Sequence, residues 1–446
     1  MTDTEPQPIT SHEVQVALGT LKLGKTSGAT GMSNEFLVAL GRVDGGMDIL
    51  LSLLNTMLLQ GNMPNDLLVG IACLVPKSPS ITLPSQIRPI LLLEVVQKLF
   101  ASLLMRRLAP HWPPVHAQLG AIPGGQPVEA LFAAQQMVNV VNVRGQEPLF
   151  LKLDIKGAFD NLRHASVADL LATLPAACCH EAFRLMCLLL GQKVRFSFLD
   201  AQWELHSSNG TPQGGSHSAV LFARTLDHAI GKLGATWETM GHNPAFDPIW
   251  PLLFVDDILL CFKDWAQAIA LLPSFLDCLS TLGLEINFGK SCLVTNSRLS
   301  STLLPSHGLE LLKQFPWVEH TQYLRKPFGY NLPVDAIHQQ AIQILFGAWG
   351  KLKPVLKRCS WQHPSTTVRM LDQYVASAFL WLSPTLYPYK TFRQRLRVAQ
   401  TTLLIEALNF YIPHMTETHA HQFLRLRRHI VKRWLLHMAP AGGWEH

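Results

Sequence analysis

What this 446-residue chain lacks narrows its function first. No apolar run is long enough to span a bilayer; the longest, Ile49 to Leu59, is broken by Ser52, Asn55 and Thr56. The opening Met1-Thr2-Asp3-Thr4-Glu5 has neither the basic nor the apolar region of a signal peptide, so the expected setting is intracellular, with no membrane partner. Cysteine is sparse: eight residues and no Cys-x-x-Cys pair, which argues against a disulfide scaffold and for free thiols. Only Cys178, Cys179, His180 and Cys187 cluster, and with Phe183, Leu185 and Leu188 among them they read as buried helix rather than a zinc site. There are no repeats and no low-complexity tract. At 48% hydrophobic and 15% charged residues the chain is neither disordered nor fibrous, and it is long enough for several subdomains with their own cores. Acidic residues are scarce at one end. From Gly347 onward there are 14 Lys/Arg against 4 Asp/Glu, so this last stretch carries +10 and what precedes it −4. A basic end on a near-neutral body points to a polyanionic partner.

What is present centres on Leu252-Leu253-Phe254-Val255-Asp256-Asp257-Ile258-Leu259-Leu260, two carboxylates between two apolar runs. Asp is depleted inside strands, so the pattern predicts a hairpin with Asp256 and Asp257 in its turn. Such a pair is either plain turn chemistry or half of a metal site. A second carboxylate strand favours the metal site: Phe150 to Leu153 build a strand with Asp154 at its end, followed by Gly157-Ala158-Phe159-Asp160.

Around these strands the spacing predicts helices over Ile9–Leu40, opening at Thr10 or Ser11 with Glu13 completing a capping box, and over Asp48–Gln60, Val95–Leu108, Val128–Val141, Ala219–Ile230 and Trp265–Leu282. The first is interrupted by the turn-rich Lys25 to Gly31. Gly70 to Lys77 reads as a strand, Gln118-Leu119-Gly120 as a loop, and Asn209 to Ser216 as a Gly/Pro loop able to offer N–H groups and a Gln to a ligand. After Tyr323-Leu324-Arg325 the chain reads as mostly helical.

The order of these parts resembles the reverse transcriptase domain of non-LTR retrotransposons, with more distant likeness to group II intron and telomerase-type enzymes. Lys25-Thr26-Ser27-Gly28-Ala29-Thr30-Gly31-Met32 is similar to the family's N-terminal Lys-Ala-x-Gly-Pro-Asp-Gly-Ile, although Ala29-Thr30 departs from its Pro-Asp. Arg88-Pro89-Ile90 before Lys98-Leu99-Phe100 resembles the fingers motif. Leu153-Asp154 with Ala158-Phe159-Asp160 resembles the first palm motif, and Gly210 to Gly214 the second. Phe254-Val255-Asp256-Asp257 stands where Tyr-Ala-Asp-Asp is common, and Gly283-Leu284 with Lys290 resembles the next motif. Two further departures are Gly215 to Ala219 after Gln213-Gly214, and Arg325 where a glycine is usual.

The resemblance implies an α+β right-hand polymerase with fingers, an antiparallel palm sheet and a helical thumb. Its expected divisions are an N-terminal helical extension (1–47), fingers (48–145), palm (146–330, with a finger-type insertion near 165–205), thumb (331–415) and a basic tail (416–446). The implied function is RNA-directed DNA synthesis from a primer 3′-hydroxyl, with dNTPs, an RNA template, and a DNA or RNA primer as partners. Two Mg²⁺ ions, or Mn²⁺ in their place, would be held by Asp154, Asp256, Asp257 and the carbonyl of Ile155. Lys290 is the implied proton donor to pyrophosphate. Lys77, Arg88, Phe159, Gln213 and Gly214 would form the nucleotide site. Arg393, Arg395, Arg397, Arg425, Arg427 and Arg428 would bind the nucleic-acid backbone. Nothing resembles a nuclease, an RNase H domain or a zinc knuckle, so a separate endonuclease is an expected partner and the nucleus the expected place of action. The competing reading is a catalytically silent, nucleic-acid-binding remnant of a retroelement.

Overall fold

The computed structural model describes residues 6–61, 63–77, 80, 82–83, 86–144, 148–198, 201–239, 251–296, 309–358, 369–380 and 389–409. Arg425, Arg427, Arg428 and the tail 416–446 lie outside the described residues. The chain divides into two compact units, one of residues 1–126, 147–293 and 302–317, the other of 127–146, 294–301 and 318–446. Thirteen strands are named here in chain order: β1 (Val69–Pro76), β2 (Ile87–Leu92), β3 (Leu149–Leu153), β4 (Ile155–Lys156), β5 (Lys193–Phe198), β6 (Ala201–His206), β7 (Leu252–Phe254), β8 (Asp257–Phe262), β9 (Glu285–Ile286), β10 (Cys292–Val294), β11 (Trp317–Val318), β12 (His320–Tyr323) and β13 (Lys326–Gly329).

The first unit is built on a sheet of order β11-β10-β3-β8-β7. β3 and β8 run antiparallel from Leu149 opposite Phe262 to Leu153 opposite Ile258. Leu149, Phe150, Leu151 and Leu153 are buried, as is every residue from Ile258 to Phe262. Both faces of these strands are largely covered, and this is why they read as apolar runs, broken only by the partly buried Lys152, instead of alternating ones. A second sheet, β2-β1-β5-β6, is mixed: β1 pairs antiparallel with β2 and parallel with β5.

The N-terminal helix Ser11–Gly19 carries the expected capping box between Thr10 and Glu13. Arg107, on the helix Val95–Leu108, forks to Glu13 at 2.7 Å and Glu181 at 3.0 Å. The hydrogen bond from Arg107 holds the Glu13 carboxyl at about 2, far below its ordinary range. Glu181 belongs to the helix Cys179–Leu190, which is the ordinary helix expected around the cysteine cluster.

In the second unit Ala341, Leu345, Trp349, Leu352 and Leu356 form a buried stripe at helical spacing along Val334–Arg358, in one core with Phe392, Leu396, Ala399 and Leu403 of the helix Lys390–Asn409. The Trp349 indole donates to Glu406 at 2.7 Å and Lys353 pairs with the same carboxylate at 3.1 Å. Helix does not follow Arg325 directly, because Leu324 and Arg325, both at positive φ (48° and 62°), turn the chain into the hairpin β12–β13.

Candidate active site

Asp154 and Asp256, 102 positions apart in sequence, come to the same end of the first sheet. Asp154 follows the last residue of β3, and continuing the β3–β8 register by one step brings it opposite Asp257. One expectation is corrected here. The turn is Val255-Asp256, whereas Asp257 is already the first residue of β8, paired with Phe254. The chain manages so short a turn by putting Val255 at φ 58°, a left-handed conformation that a β-branched residue rarely adopts.

The backbone of Asp154 is held on both sides by the segment after β9. Its N–H donates to the Ser291 hydroxyl at 2.9 Å, and its carbonyl accepts from Asn287 N–H at 2.8 Å. Ile155 sits in the short ladder opposite Ile286. Lys290 is exposed on the turn of this segment, its N–H bonded to the Asn287 carbonyl at 3.0 Å.

Asp256 is an exposed residue, but protein packed around its carboxyl removes enough water to raise its pKa. Its own backbone N–H works against that rise, the charge of Asp154 adds to it, and Arg88 opposes it. The charges of Asp154 and Arg88 are thus both felt at the Asp256 carboxyl, with opposite sign. Among the described residues no three His, Cys, Asp or Glu side chains gather closely enough to hold an ion alone. Mg²⁺ needs no such cage, because it ordinarily takes one or two carboxylates and completes its shell with water and phosphate. Two hard-oxygen carboxylates brought to one sheet end fit that requirement.

The loop before the helix Ser218–Thr239 is threaded between this site and the second sheet. Gly210 (φ 84°) approaches so closely that a Cβ there would lie 2.5 Å from the Phe159 carbonyl. Gly214 (φ 128°) would place one 2.3 Å from the Leu91 carbonyl. These are two positions where only glycine fits. Gln213 is fixed from both ends: its carbonyl accepts from Leu91 N–H at 2.6 Å and its side chain donates to Asp160 at 2.9 Å. Asp160 is thus a positioning partner of Gln213. Phe159 is half-buried with its ring 5.1 Å from that of Phe222, and its carbonyl accepts from Thr211 N–H at 2.7 Å. A cavity of about 130 Å³ lies between Pro89, Leu91, Val194 and Phe196 on one side and Asp160 and Gln213 on the other. Lys77 and Arg88 are exposed at the ends of β1 and β2.

Three features escaped the sequence reading: the grip of Ser291 on Asp154, the side chain of Gln118 against Val255, and the buried Asp227. A Gln-x-Gly loop and an Asp inside a helix were the only local signals. A fourth feature explains a departure noted above. Thr30 donates both its N–H and its hydroxyl to Glu94, at 2.7 Å each, so the loop stays docked without the family's Pro-Asp.

Residues 75–333 match the family described as reverse transcriptase (RNA-dependent DNA polymerase). This chain belongs to the reverse transcriptase family. Its relatives place the domain among those of non-LTR retrotransposons. It is 26% identical over 251 residues to the retrovirus-related Pol polyprotein from the type-2 retrotransposable element R2DM of Drosophila melanogaster, covering 54% of this chain and 23% of that protein. With the corresponding protein of the type-1 element R2 of Nasonia vitripennis it shares 25% over 211 residues, or 47% of this chain and 20% of that protein. The matches thus span under a quarter of each polyprotein. Among solved structures, Candida tropicalis telomerase aligns at TM-score 0.41 with 11% identity, covering 60% of this chain and 54% of that one. Candida albicans telomerase aligns at 0.41 with 13% identity, covering 82% and 67%. Among its described residues the chain carries no helix long and apolar enough to cross a membrane.

Proposed function

We propose that this chain adds deoxynucleotides to a primer 3′-hydroxyl on an RNA template, and that it does so at the site formed by Asp154 and Asp256. The observation that carries this reading is the strand register that brings two carboxylates 102 positions apart in sequence to one sheet end. Asp154, Asp256 and the Ile155 carbonyl would hold two Mg²⁺ ions, with Asp257 in support and Mn²⁺ as a substitute. Bound there, the ions supply charge neutralisation for the attacking and leaving oxygens. The chain's own groups do the rest. Arg88 and Lys77 neutralise the triphosphate, Gln213 and Gly214 shape the floor beneath the base pair, and Lys290 gives a proton to the departing pyrophosphate. Phe159, backed by Phe222, occupies the space that a 2′-hydroxyl would need.

In the same reading, residues 48–145 serve as fingers, 146–330 as palm and 331–415 as thumb, following the N-terminal extension 1–47. Arg393, Arg395 and Arg397 are exposed on Lys390–Asn409, flanking its buried Phe392, Leu396 and Ala399, where they can meet a nucleic-acid backbone. A separate endonuclease would cut the target in the nucleus. The test is primer extension by the purified chain with Mg²⁺ on an RNA template. Extension with dNTPs that falls to background in Asp256→Asn supports the reading. Template binding without extension in the wild type overturns it in favour of a silent remnant.

A further inference from the structure

The strained turn at Val255 must be held by something, and the residues that hold it belong to neither catalytic strand. Gln118 is completely buried. Its side-chain oxygen accepts from Val255 N–H at 2.8 Å and from Gly120 N–H at 2.9 Å, while its amide donates to the Val255 carbonyl at 3.4 Å. The loop that carries it lies along the edge of β7. Leu119 N–H donates to the Leu253 carbonyl at 2.8 Å, and Leu253 N–H to the Ala117 carbonyl at 3.2 Å. Gly120 closes over the turn, since a Cβ there would sit 2.6 Å from Val255 N and 3.0 Å from the Phe254 carbonyl carbon.

This loop is anchored in turn from the helix Ser218–Thr239. The carboxylate of Asp227, 3% exposed, accepts three successive backbone N–H bonds: His116 at 2.9 Å, Ala117 at 2.8 Å and Gln118 at 2.9 Å. A buried carboxylate with three donors is fully satisfied and holds its partners rigidly. Hydrogen bonds thus run without a break from a core helix, through the loop, to both backbone groups of the residue preceding Asp256.

We propose that Gln118, backed by Asp227, is the positioning element that fixes the Val255-Asp256 turn in the geometry a divalent ion requires. This rests on the polymerase reading above. Gln118 touches no substrate in it; it acts through Val255 on Asp256. Partners one step behind metal ligands typically change affinity or rate by about 10- to 100-fold when removed.

The test compares Gln118→Met, which keeps the shape and loses the acceptor, with Gln118→Glu, which keeps an oxygen for both N–H groups. Leu185→Ala, in the distant helix Cys179–Leu190, serves as a folding control. Each folded variant is titrated with Mn²⁺ by electron paramagnetic resonance and assayed for kcat and for the KM of a dNTP. Gln118→Met should lose Mn²⁺ affinity and kcat by about 10- to 100-fold with KM near wild type. Gln118→Glu should recover most of both, and Leu185→Ala should lower the melting temperature alone. Wild-type Mn²⁺ affinity and kcat in Gln118→Met would overturn the proposal. So would a Gln118→Glu as defective as Gln118→Met, or equal losses in Leu185→Ala. Should Gln118→Met fail to fold, Gln118→Asn, one methylene too short to reach Val255, takes its place: lost Mn²⁺ affinity in the folded variant supports the proposal and wild-type affinity overturns it. A wild type that binds Mn²⁺ yet extends no primer would sink the polymerase reading and leave the Mn²⁺ comparison standing. A wild type that binds no Mn²⁺ would sink both.

Discussion

Replacing Phe159 by valine should admit ribonucleotides. The ring is half-buried, 5.1 Å from Phe222 and tilted 33° to it, and the backbone beneath it is tied to Thr211 at 2.7 Å. A side chain fixed from two directions cannot swing aside for an added hydroxyl. Forcing an extra heavy atom against such a contact costs about 1–3 kcal/mol. That energy is roughly a ten- to hundredfold preference for deoxyribose in kcat/KM. Valine removes the ring edge, and the preference should collapse to a few-fold at most. Stability should fall by only about 1–2 kcal/mol, because an aromatic pair contributes roughly 0.5–1.5 kcal/mol and the site is not fully buried. The assay is single-nucleotide incorporation on an RNA template, with each dNTP and its ribonucleotide titrated separately and the two kcat/KM values compared. Phe222→Ala, which takes away the backing ring, should relax the preference part of the way. An unchanged ratio in Phe159→Val, with deoxynucleotide addition intact, would refute the steric reasoning and the argument for DNA as product.

Asp256→Asn should raise stability at neutral pH, because the folded pKa of Asp256 lies above its ordinary 3.8 and its charged form therefore destabilises the fold. Melts in chelator should show this advantage shrinking as pH falls through the folded pKa and vanishing below 3.8; a pH-independent difference would contradict the assignment. Charge reversal of Arg393 and Arg397 should weaken template–primer binding alike on all sequences and flatten its salt dependence by about 0.7–0.9 log units per lost phosphate contact. Point changes are the right tool, since deleting 391–446 would also remove Phe392, Leu396 and Leu403 from the second core. Arg325→Gly should stabilise the β12–β13 turn by at most about 1 kcal/mol, the left-handed strain relieved less the entropy glycine adds to the unfolded chain. Melting temperatures should rank Gly above Arg above Val at this position, and any other order would remove the strain argument.

The sequence by itself determined the parts whose signals are local. Apolar runs, broken only by Lys152, marked β3, β7 and β8, because these strands are largely buried on both faces. Asp154 was legible at its strand end for the same reason, and the capping box of Thr10 and Glu13 marked the first helix. The glycines of the 209–216 loop announced a close approach, though not that it is made to the carbonyls of Phe159 and Leu91. The tertiary structure alone decided the rest. Turn chemistry pointed to Asp256-Asp257, yet strand pairing shifted the turn one residue earlier, onto a valine whose own preference opposes it. Such a conformation is tolerated only when surroundings over-determine it. Those surroundings are Gln118, 137 positions away in sequence, and behind it Asp227. Both look like ordinary polar residues in a loop and a helix, because a hydrogen bond between distant segments leaves no periodicity to read.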